Sequence, residues 1–353
     1  MYLNPRDSDH ANAVTLALSW GLCICLMSFL AACEHLPDEA GGSHPASIRG
    51  ITLVDWSPNG YMRATSDSAL RAIASIGATH VTVIVTAYQS SQTSDRVQID
   101  STRTPTLESV RHALASAASL GLKVVLKPHV DLYDGTWRGL IAPADYPAWF
   151  ESYKQFLFPL IALAESAHAA QFVIGTELAG TIRYNGRWEE VIQFIRAGYH
   201  GEITYAASWD EAGKVPFWRS LDLVGIDFYF PVAIRPDPGR FDILSGWQPW
   251  LERLHLLYEQ TGRRIILTEI GYPSLSGAGM NPYAFGGDRA IDLTEQADLY
   301  WAALRATSDL DWLAGMYWWN WSADGSGGPQ NSDYTPSGKP AQLELSRSWR
   351  IER

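Results

Sequence analysis

The chain is poor in cysteine and in basic residues. Only three cysteines occur among 353 residues, and neither cysteine nor histidine clusters at the spacing of a zinc site. Lysine and arginine together number 27 against 38 aspartates and glutamates, which gives a formal net charge of −11. The sequence contains no basic run, and binding to phosphates needs a basic surface, so nucleic acid is not an expected partner.

Several catalytic motifs are also missing. The sequence has no H-E-x-x-H metalloprotease motif, no G-x-x-x-x-G-K-[ST] phosphate loop and no G-x-S-x-G nucleophile turn. Its glycine-rich pieces, "GAGMNP" and "GSGGP", lack the strand–turn–helix setting of a phosphate site. We therefore predict that the protein uses no metal and no cofactor.

Residues 1–48 are expected to lie outside the folded domain. An apolar stretch within them is short for a membrane span and ends in small residues, as a cleavable signal does. The sequence "LAAC", Leu30–Cys33, resembles a bacterial lipobox, in which the cysteine carries the lipid. We predict a signal peptide at residues 1–32, a lipid on Cys33 and a flexible tether at residues 33–48. An ordinary signal peptide or an uncleaved membrane anchor is the alternative.

From residue 49 onward, short apolar runs alternate with longer amphipathic stretches. The runs are rich in valine, isoleucine and aromatic residues and mostly lack strict alternation, as strands buried on both faces do. Eight strands are predicted, at Gly50–Trp56, His80–Tyr88, Lys123–Val130, Gln171–Leu178, Glu202–Trp209, Asp222–Phe230, Arg264–Gly271 and Leu313–Trp321.

Helix start and stop signals separate most of these strands. Ser66 and Thr106 are expected at helix N-termini, with Gly77 and Gly121 at the ends of the same helices. Eight strands alternating with helices over about 300 residues predict a (β/α)8 TIM barrel, in a single catalytic domain at residues 49–353. A doubly wound open sheet is the alternative, but it normally has a glycine-rich turn after its first strand, and "VDWSPNGYM" is not one.

Two of the predicted strands end on a glutamate. "QFVIGTELAG" ends the fourth strand on Glu177, and "ILTEIGYPS" ends the seventh on Glu269. The carboxyl ends of all barrel strands form one site, so both side chains should face the same cleft. Two facing carboxylates are the usual groups for cleaving a glycosidic bond, since one protonates the leaving oxygen while the other attacks or activates water. The alternative is that either glutamate merely pairs with an arginine or lysine at the rim.

The chain resembles the clan A glycoside hydrolases, and more narrowly glycoside hydrolase family 113. The pieces that carry the resemblance keep their order from the third strand to near the C-terminus: "LGLKVVLKPHVD", "GTWRGLI", "FVIGTEL", "ILTEIGYPS", "YWWNWS" and "DYTPSGKPA". The resemblance implies a retaining enzyme with Glu177 as acid/base and Glu269 as nucleophile, and the known members are mostly endo-β-1,4-mannanases. Most of the clan place asparagine before the acid/base, where this chain has Thr176.

Further residues at the strand ends are candidates for contacts with a sugar. The 15 tryptophans and 16 tyrosines either fill the core or line a groove in which sugar rings stack. Tyr229 is expected to donate a hydrogen bond to Glu269. Trp319 is expected to lie under the cleaved sugar, a place for which Trp318 and Trp321 compete because strand side chains alternate. Four more candidates, each with a purely structural alternative, are His129, Trp209, Trp56 and Thr176.

These observations predict a monomeric, lipid-anchored, retaining glycoside hydrolase of the cell envelope, on the outer membrane or cell surface. Its partner would be a β-linked oligo- or polysaccharide, and the resemblance alone favours β-1,4-mannan or manno-oligosaccharides. Hydrolysis of another β-linked polysaccharide or an exopolysaccharide is the enzymatic alternative. A surface lipoprotein that binds glycans without cleaving them is the alternative from another class, although a binding protein gains nothing from two facing carboxylates.

Overall fold

Eight parallel strands close into a barrel in the order of the sequence. The computed structural model describes residues 48–351. The predicted signal peptide, the lipid on Cys33 and the tether to residue 47 lie outside the described residues. The strands are β1 Ile48–Val54, β2 His80–Gln89, β3 Lys123–Leu132, β4 Gln171–Thr176, β5 Glu202–Ser208, β6 Val224–Phe228, β7 Ile265–Ile270 and β8 Leu313–Ser322.

Helices connect most of the strands on the outside of the barrel, which confirms the predicted (β/α)8 fold. The connection from β5 to β6 contains only the 3-10 turns Ala212–Lys214 and Trp218–Ser220, whereas the next connection contains two helices. The helices are α1 Ala64–Ser75, α2 Leu107–Ser119, α3 Tyr146–Ser166, α4 Asn185–Arg196, α5 Arg240–Gly246, α6 Gln248–Thr261, α7 Leu293–Ala306 and α8 Pro340–Ile351.

The two expected helix starts have different outcomes. Thr106 is the N-cap of α2, and its side chain accepts a hydrogen bond from the Ser109 amide, as predicted. The prediction for Ser66 is wrong, because α1 begins at Ala64 and Ser66 is buried within its first turn. A 3-10 turn at Gly60–Met62 leads the chain into the helix earlier than the capping residue suggests.

Two apolar layers hold the barrel together. The larger layer packs the outer faces of the strands against the helices. The smaller one fills the barrel interior and includes Val125, Val173, Ile266 and Tyr317. A Cβ at Gly50 would lie 2.1 Å from the Tyr317 ring, so glycine is needed at that position for the ring to enter the barrel. The inner layer explains why these strands lack an exposed polar face.

Long loops follow β2, β7 and β8 at the carboxyl end of the barrel. Isolated antiparallel bridges join Tyr88 to Gln98 and Leu275 to Ile291, and so tie the first two of these loops to their own ends. No helix within residues 48–351 has the length and apolar character needed to span a bilayer. The loops after β2, β3 and β7 contribute Arg103, Tyr133 and Tyr283 to a cleft at the strand ends, where a TIM barrel places its site.

Candidate active site

Glu177 is the first residue after β4 and projects into the cleft. Its backbone is left-handed, with a φ of 51°. Its Oε2 atom accepts a hydrogen bond from the indole nitrogen of Trp137, at 3.1 Å. Burial raises the pKa of Glu177, the Arg138 guanidinium partly opposes that shift, and the negative charge of Glu269 adds to it. A carboxyl group with a raised pKa keeps its proton to a higher pH than usual, which suits it to act as a general acid.

Glu269 lies within β7 and is 5% exposed. Its two carboxylate oxygens have different partners. Oε1 accepts from the ammonium group of Lys127 at 2.5 Å, and Oε2 accepts from the hydroxyl of Tyr229 at 2.7 Å. The side chain is therefore held in one orientation by a cation and a neutral donor, as a carboxylate that must attack a fixed atom requires.

Lys127 is fully buried and contacts two carboxylates. Its ammonium group lies 3.1 Å from Asp227 Oδ1, and that oxygen also accepts from the Thr268 hydroxyl. Burial, followed by the charge of Glu269, raises the pKa of Asp227 well above its usual value. The ammonium group of Lys127 thus bonds to one acidic side chain from β6 and one from β7. The sequence showed Lys127 and Asp227 as polar residues at strand ends, but it gave them no function.

The orientation of the His129 ring follows from its neighbour Arg138. The guanidinium Nη1 lies 2.8 Å from His129 Nδ1, and because arginine can only donate, Nδ1 is the acceptor. Burial and the charges of Arg138 and Lys127 lower the pKa of His129 well below its usual value, so the ring is neutral. Its proton is then on Nε2, which lies 3.7 Å from Glu269 Oε1 and has no hydrogen-bond partner among the described residues.

Aromatic side chains surround the two glutamates. Trp319, in β8, stacks on the His129 ring with 5.9 Å between ring centroids, whereas Trp318 is fully buried and stacks on Tyr300 of α7. Of the two neighbours in β8, Trp319 is thus the one on the side of the cleft. Trp209 lines the cleft and stacks on Tyr283, with 6.5 Å between centroids.

Two predicted contact residues lie apart from this cluster. Trp56 is 46% exposed and lines a separate pocket of about 360 Å³ with Asp55 and Asn320. Thr176 is buried, and its hydroxyl donates to the carbonyl of Pro128, which joins β4 to β3. The main cleft has a volume of about 750 Å³, enough for more than one sugar ring. Its lining includes Glu177, Trp137, Trp209, Tyr229, Tyr283 and Phe285.

Replacing Lys127 is expected to impair the site strongly. In a Lys127→Met variant, Glu269 and Asp227 lose the cation that they share. We expect kcat/KM to fall by about 100- to 1,000-fold, the usual loss for a donor to a reacting group, and the melting temperature to fall because buried carboxylates lose their counterion. Lys339→Met is the matched control, because Lys339 is also buried but bonds neutral oxygens of Ser274 and Asp333. Near wild-type activity of Lys127→Met would contradict the role of the cation.

Another buried acid, Glu211, lies just after β5 and is 2% exposed. Burial raises its pKa from 4.5 to about 8. Between these values the unfolded chain releases the proton while the folded chain keeps it, so stability is lost as the pH rises through that interval. A Glu211→Gln variant should lack this loss, which is on the order of a few kcal/mol. Urea unfolding at pH 5 and pH 8 measures it, and equal pH dependence in both proteins would refute it.

The chain is similar to known proteins both in sequence and in fold. A model of Glycoside Hydrolase Family 113 matches residues 53–339. A solved complex of a GH113 β-1,4-mannanase is 27% identical with a TM-score of 0.80, over 86% of this chain and 99% of that one. The GH113 β-mannanase of Alicyclobacillus acidocaldarius, in complex with ManMIm, is 25% identical with a TM-score of 0.80, over 87% and 98% of the two chains.

A further solved GH113 β-1,4-mannanase is 28% identical with a TM-score of 0.79, over 86% of this chain and 98% of its own. No curated protein sequence matches the chain. Within residues 48–351, no group of three or more histidine, cysteine, aspartate or glutamate residues is arranged to hold a metal ion.

Proposed function

Because this chain belongs to glycoside hydrolase family 113 and is therefore a glycoside hydrolase, we propose that it cleaves β-1,4-linked mannan or manno-oligosaccharides with retention of configuration. The substrate is supported by the solved family members that are named β-mannanases and align over nearly their whole length. The mechanism is supported above all by the different settings of Glu177, in the open cleft, and Glu269, beside an ammonium group.

In the first step, Glu269 attacks the anomeric carbon while Glu177 gives its proton to the departing glycosidic oxygen. The bond from carbon to the Glu269 oxygen forms as the glycosidic bond breaks, and the shortened sugar leaves as an alcohol. Tyr229 and Lys127 hold the attacking carboxylate in place through its two oxygens. The raised pKa of Glu177 supports its role, because the proton is present when the leaving oxygen needs it.

In the second step, a water molecule attacks the same carbon and Glu177 accepts its proton. Formation of the ester removes the charge of Glu269, which is one of the causes that raise the pKa of Glu177. The pKa of Glu177 then falls, and the same carboxylate becomes the base that the second step requires. The water oxygen ends on the sugar, Glu269 leaves as a carboxylate, and Glu177 is again protonated.

Substrate contacts are assigned in the same proposal. Trp319 would lie under the ring of the cleaved sugar, since it stacks on His129 beside Glu269. The free Nε2–H of His129 would donate to a sugar hydroxyl, which supplies the partner that this buried group lacks. Trp209 would stack on a sugar further along the cleft, next to Tyr283.

Two measurements on the full chain test this function. Release of reducing ends from soluble mannan, glucan and xylan should be highest for mannan. Proton NMR of the first product should show the β-anomer before it equilibrates. Initial release of the α-anomer would refute retention. Preference for glucan or xylan would show that the substrate is another β-linked polysaccharide. Binding without any hydrolysis would favour the non-catalytic alternative.

We also propose that the mature protein is a lipoprotein of the cell envelope, lipidated on Cys33 and tethered by residues 33–48. The support is the apolar stretch before "LAAC" and the polar sequence with glycine, proline and serine after it. Mass spectrometry of the native N-terminus should show a lipidated Cys33, and a Cys33→Ser variant should be recovered without lipid. An unmodified Cys33, or a chain that still begins near Met1, would exclude the anchor.

A further inference from the structure

Two hydrogen bonds to residues of β5 hold the backbone around Glu177. A φ of 51° is uncommon for a residue with a Cβ and persists where the surroundings fix it. Two successive amides supply that restraint. The Glu177 amide donates to the carbonyl of Ala206 at 2.8 Å. The next amide, that of Leu178, donates to the side-chain hydroxyl of Tyr205 at 2.7 Å. One of the two restraints therefore depends on a side chain, which a substitution can remove.

Tyr205 is itself held by the carboxyl group of Glu211. Its hydroxyl donates to Glu211 Oε1 at 2.7 Å while it accepts from the Leu178 amide, so both hydrogen-bonding directions of the hydroxyl are used. The ring is fully buried and packs edge-on against Trp188 and Phe217, with centroids 5.4 and 5.5 Å away. Such a ring cannot move to follow a shifted partner.

The hydrogen-bonded contact of Glu211 with the residues after β4 passes through this hydroxyl. Glu211 occupies the N-cap position of the 3-10 turn after β5, without a capping hydrogen bond from its side chain, and is almost completely buried. Burial raises its pKa to about 8, so at neutral pH it is an uncharged hydrogen-bonding group. Its other oxygen, Oε2, has no hydrogen-bond partner among the described residues. A buried acid that contacts no substrate and balances no cation has no part in the steps described above.

We propose that Tyr205 and Glu211 are positioning residues for the general acid: they hold the Leu178 amide and thereby fix the direction from which the Glu177 carboxyl reaches the glycosidic oxygen. This inference rests on the proposed function, in which Glu177 is the acid. Proton transfer depends on hydrogen-bond distance and angle, so a small displacement of Glu177 slows it without affecting attack by Glu269.

A Tyr205→Phe variant separates this role from a structural one. The substrates are two aryl β-mannosides, one with a 2,4-dinitrophenyl leaving group, which needs no proton, and one with a phenyl group, which does. We expect kcat/KM for the phenyl glycoside to fall by about 10- to 100-fold, a fraction of what general acid catalysis contributes. The loss for the dinitrophenyl glycoside should be at least about tenfold smaller. Equal losses on both substrates, or no loss, would overturn the proposal.

Tyr199→Phe is the matched control. Tyr199 is also buried, and its hydroxyl donates to the Ala169 carbonyl at the same 2.7 Å, but at the amino end of the barrel. Removing its hydroxyl should change kcat/KM for the two substrates by the same factor. If Tyr199→Phe discriminates between the leaving groups as Tyr205→Phe does, the effect is general to buried hydroxyls and the proposal fails.

Two variants of Glu211 test the second residue and serve if Tyr205→Phe does not fold. Glu211→Gln keeps an oxygen that accepts from Tyr205, so its kcat/KM for the phenyl glycoside should stay within about threefold of wild type, because a neutral acceptor is retained. Glu211→Leu should show the leaving-group dependence of Tyr205→Phe. Equal behaviour of the two variants would remove Glu211 from the proposal.

The failure of this inference differs from a failure of the proposed function. If Glu177→Ala loses the same factor in kcat/KM, relative to wild type, on both glycosides, Glu177 is not the acid and the proposed function fails. If Glu177→Ala discriminates strongly between the leaving groups but Tyr205→Phe and Glu211→Leu do not, the acid assignment holds and only the positioning role is wrong.

Discussion

A Glu269→Ala variant is expected to lose at least about 10,000-fold in kcat on manno-oligosaccharides, the size of loss found when a nucleophile is removed. The neighbouring carboxyl group of Asp227 should not replace it, because Asp227 is fully buried and bonded to Lys127 and Thr268. The fold should remain, since the inner layer of the barrel does not include this side chain. Initial rates and a thermal melt measure the two effects.

Sodium azide provides the control for the nucleophile. The space left by the Glu269 carboxylate admits a small anion on the face of the sugar opposite the leaving group. Azide should attack there and give the α-glycosyl azide from an aryl β-mannoside, with recovery of part of the rate. If the variant keeps near wild-type activity, or if azide gives no glycosyl azide, Glu269 is not the nucleophile.

A Glu177→Ala variant is expected to lose about 100- to 10,000-fold on manno-oligosaccharides, the range for a general acid, and much less on a dinitrophenyl glycoside. The wild-type enzyme should lose kcat/KM as the pH rises through the raised pKa of Glu177, since the acid form is then depleted. That fall on the high-pH side of the profile should be absent from the variant. A pH profile of kcat/KM for both proteins measures the difference.

Azide again separates the possible outcomes for Glu177. It should speed turnover of the activated substrate by attacking the ester on Glu269, and the product should be the β-glycosyl azide, because two displacements occur. If Glu177→Ala gave an α-glycosyl azide instead, the roles assigned to the two glutamates would have to be exchanged. A pH profile identical to that of the wild type would show that another group causes the loss of activity as the pH rises.

Much of the fold was predictable because the signals that define strands and helices are local. All eight predicted strands are present, and none of their bounds differs from the prediction by more than two residues. Thr106 was correctly placed as a cap, because its side chain bonds an amide three residues later. Ser66 was misplaced, because the start of α1 depends on the turn that precedes it and on burial that the sequence does not show.

The candidate site was predictable only in part. Two glutamates at the ends of parallel strands could be paired without coordinates, because the carboxyl ends of all barrel strands face one side. The sequence gave no sign that Glu269 bonds Lys127 across 142 residues, that Arg138 fixes the tautomer of His129, or that Glu211 reaches β4 through a tyrosine. These contacts depend on the register between strands and on side-chain packing.

The sequence by itself predicted the barrel and placed a glutamate at the end of two of its strands, because hydrophobic periodicity and strand direction can be read from the order of the residues. Its motifs, compared with those of a known family, indicated the family. The tertiary structure alone decided the chemical state of those carboxylates. Glu177 keeps a raised pKa because it is desolvated and incompletely paired, and Glu269 is held beside the buried ammonium of Lys127. The cost of burying a charge depends on which groups surround it in space, and in this site they come from separate strands.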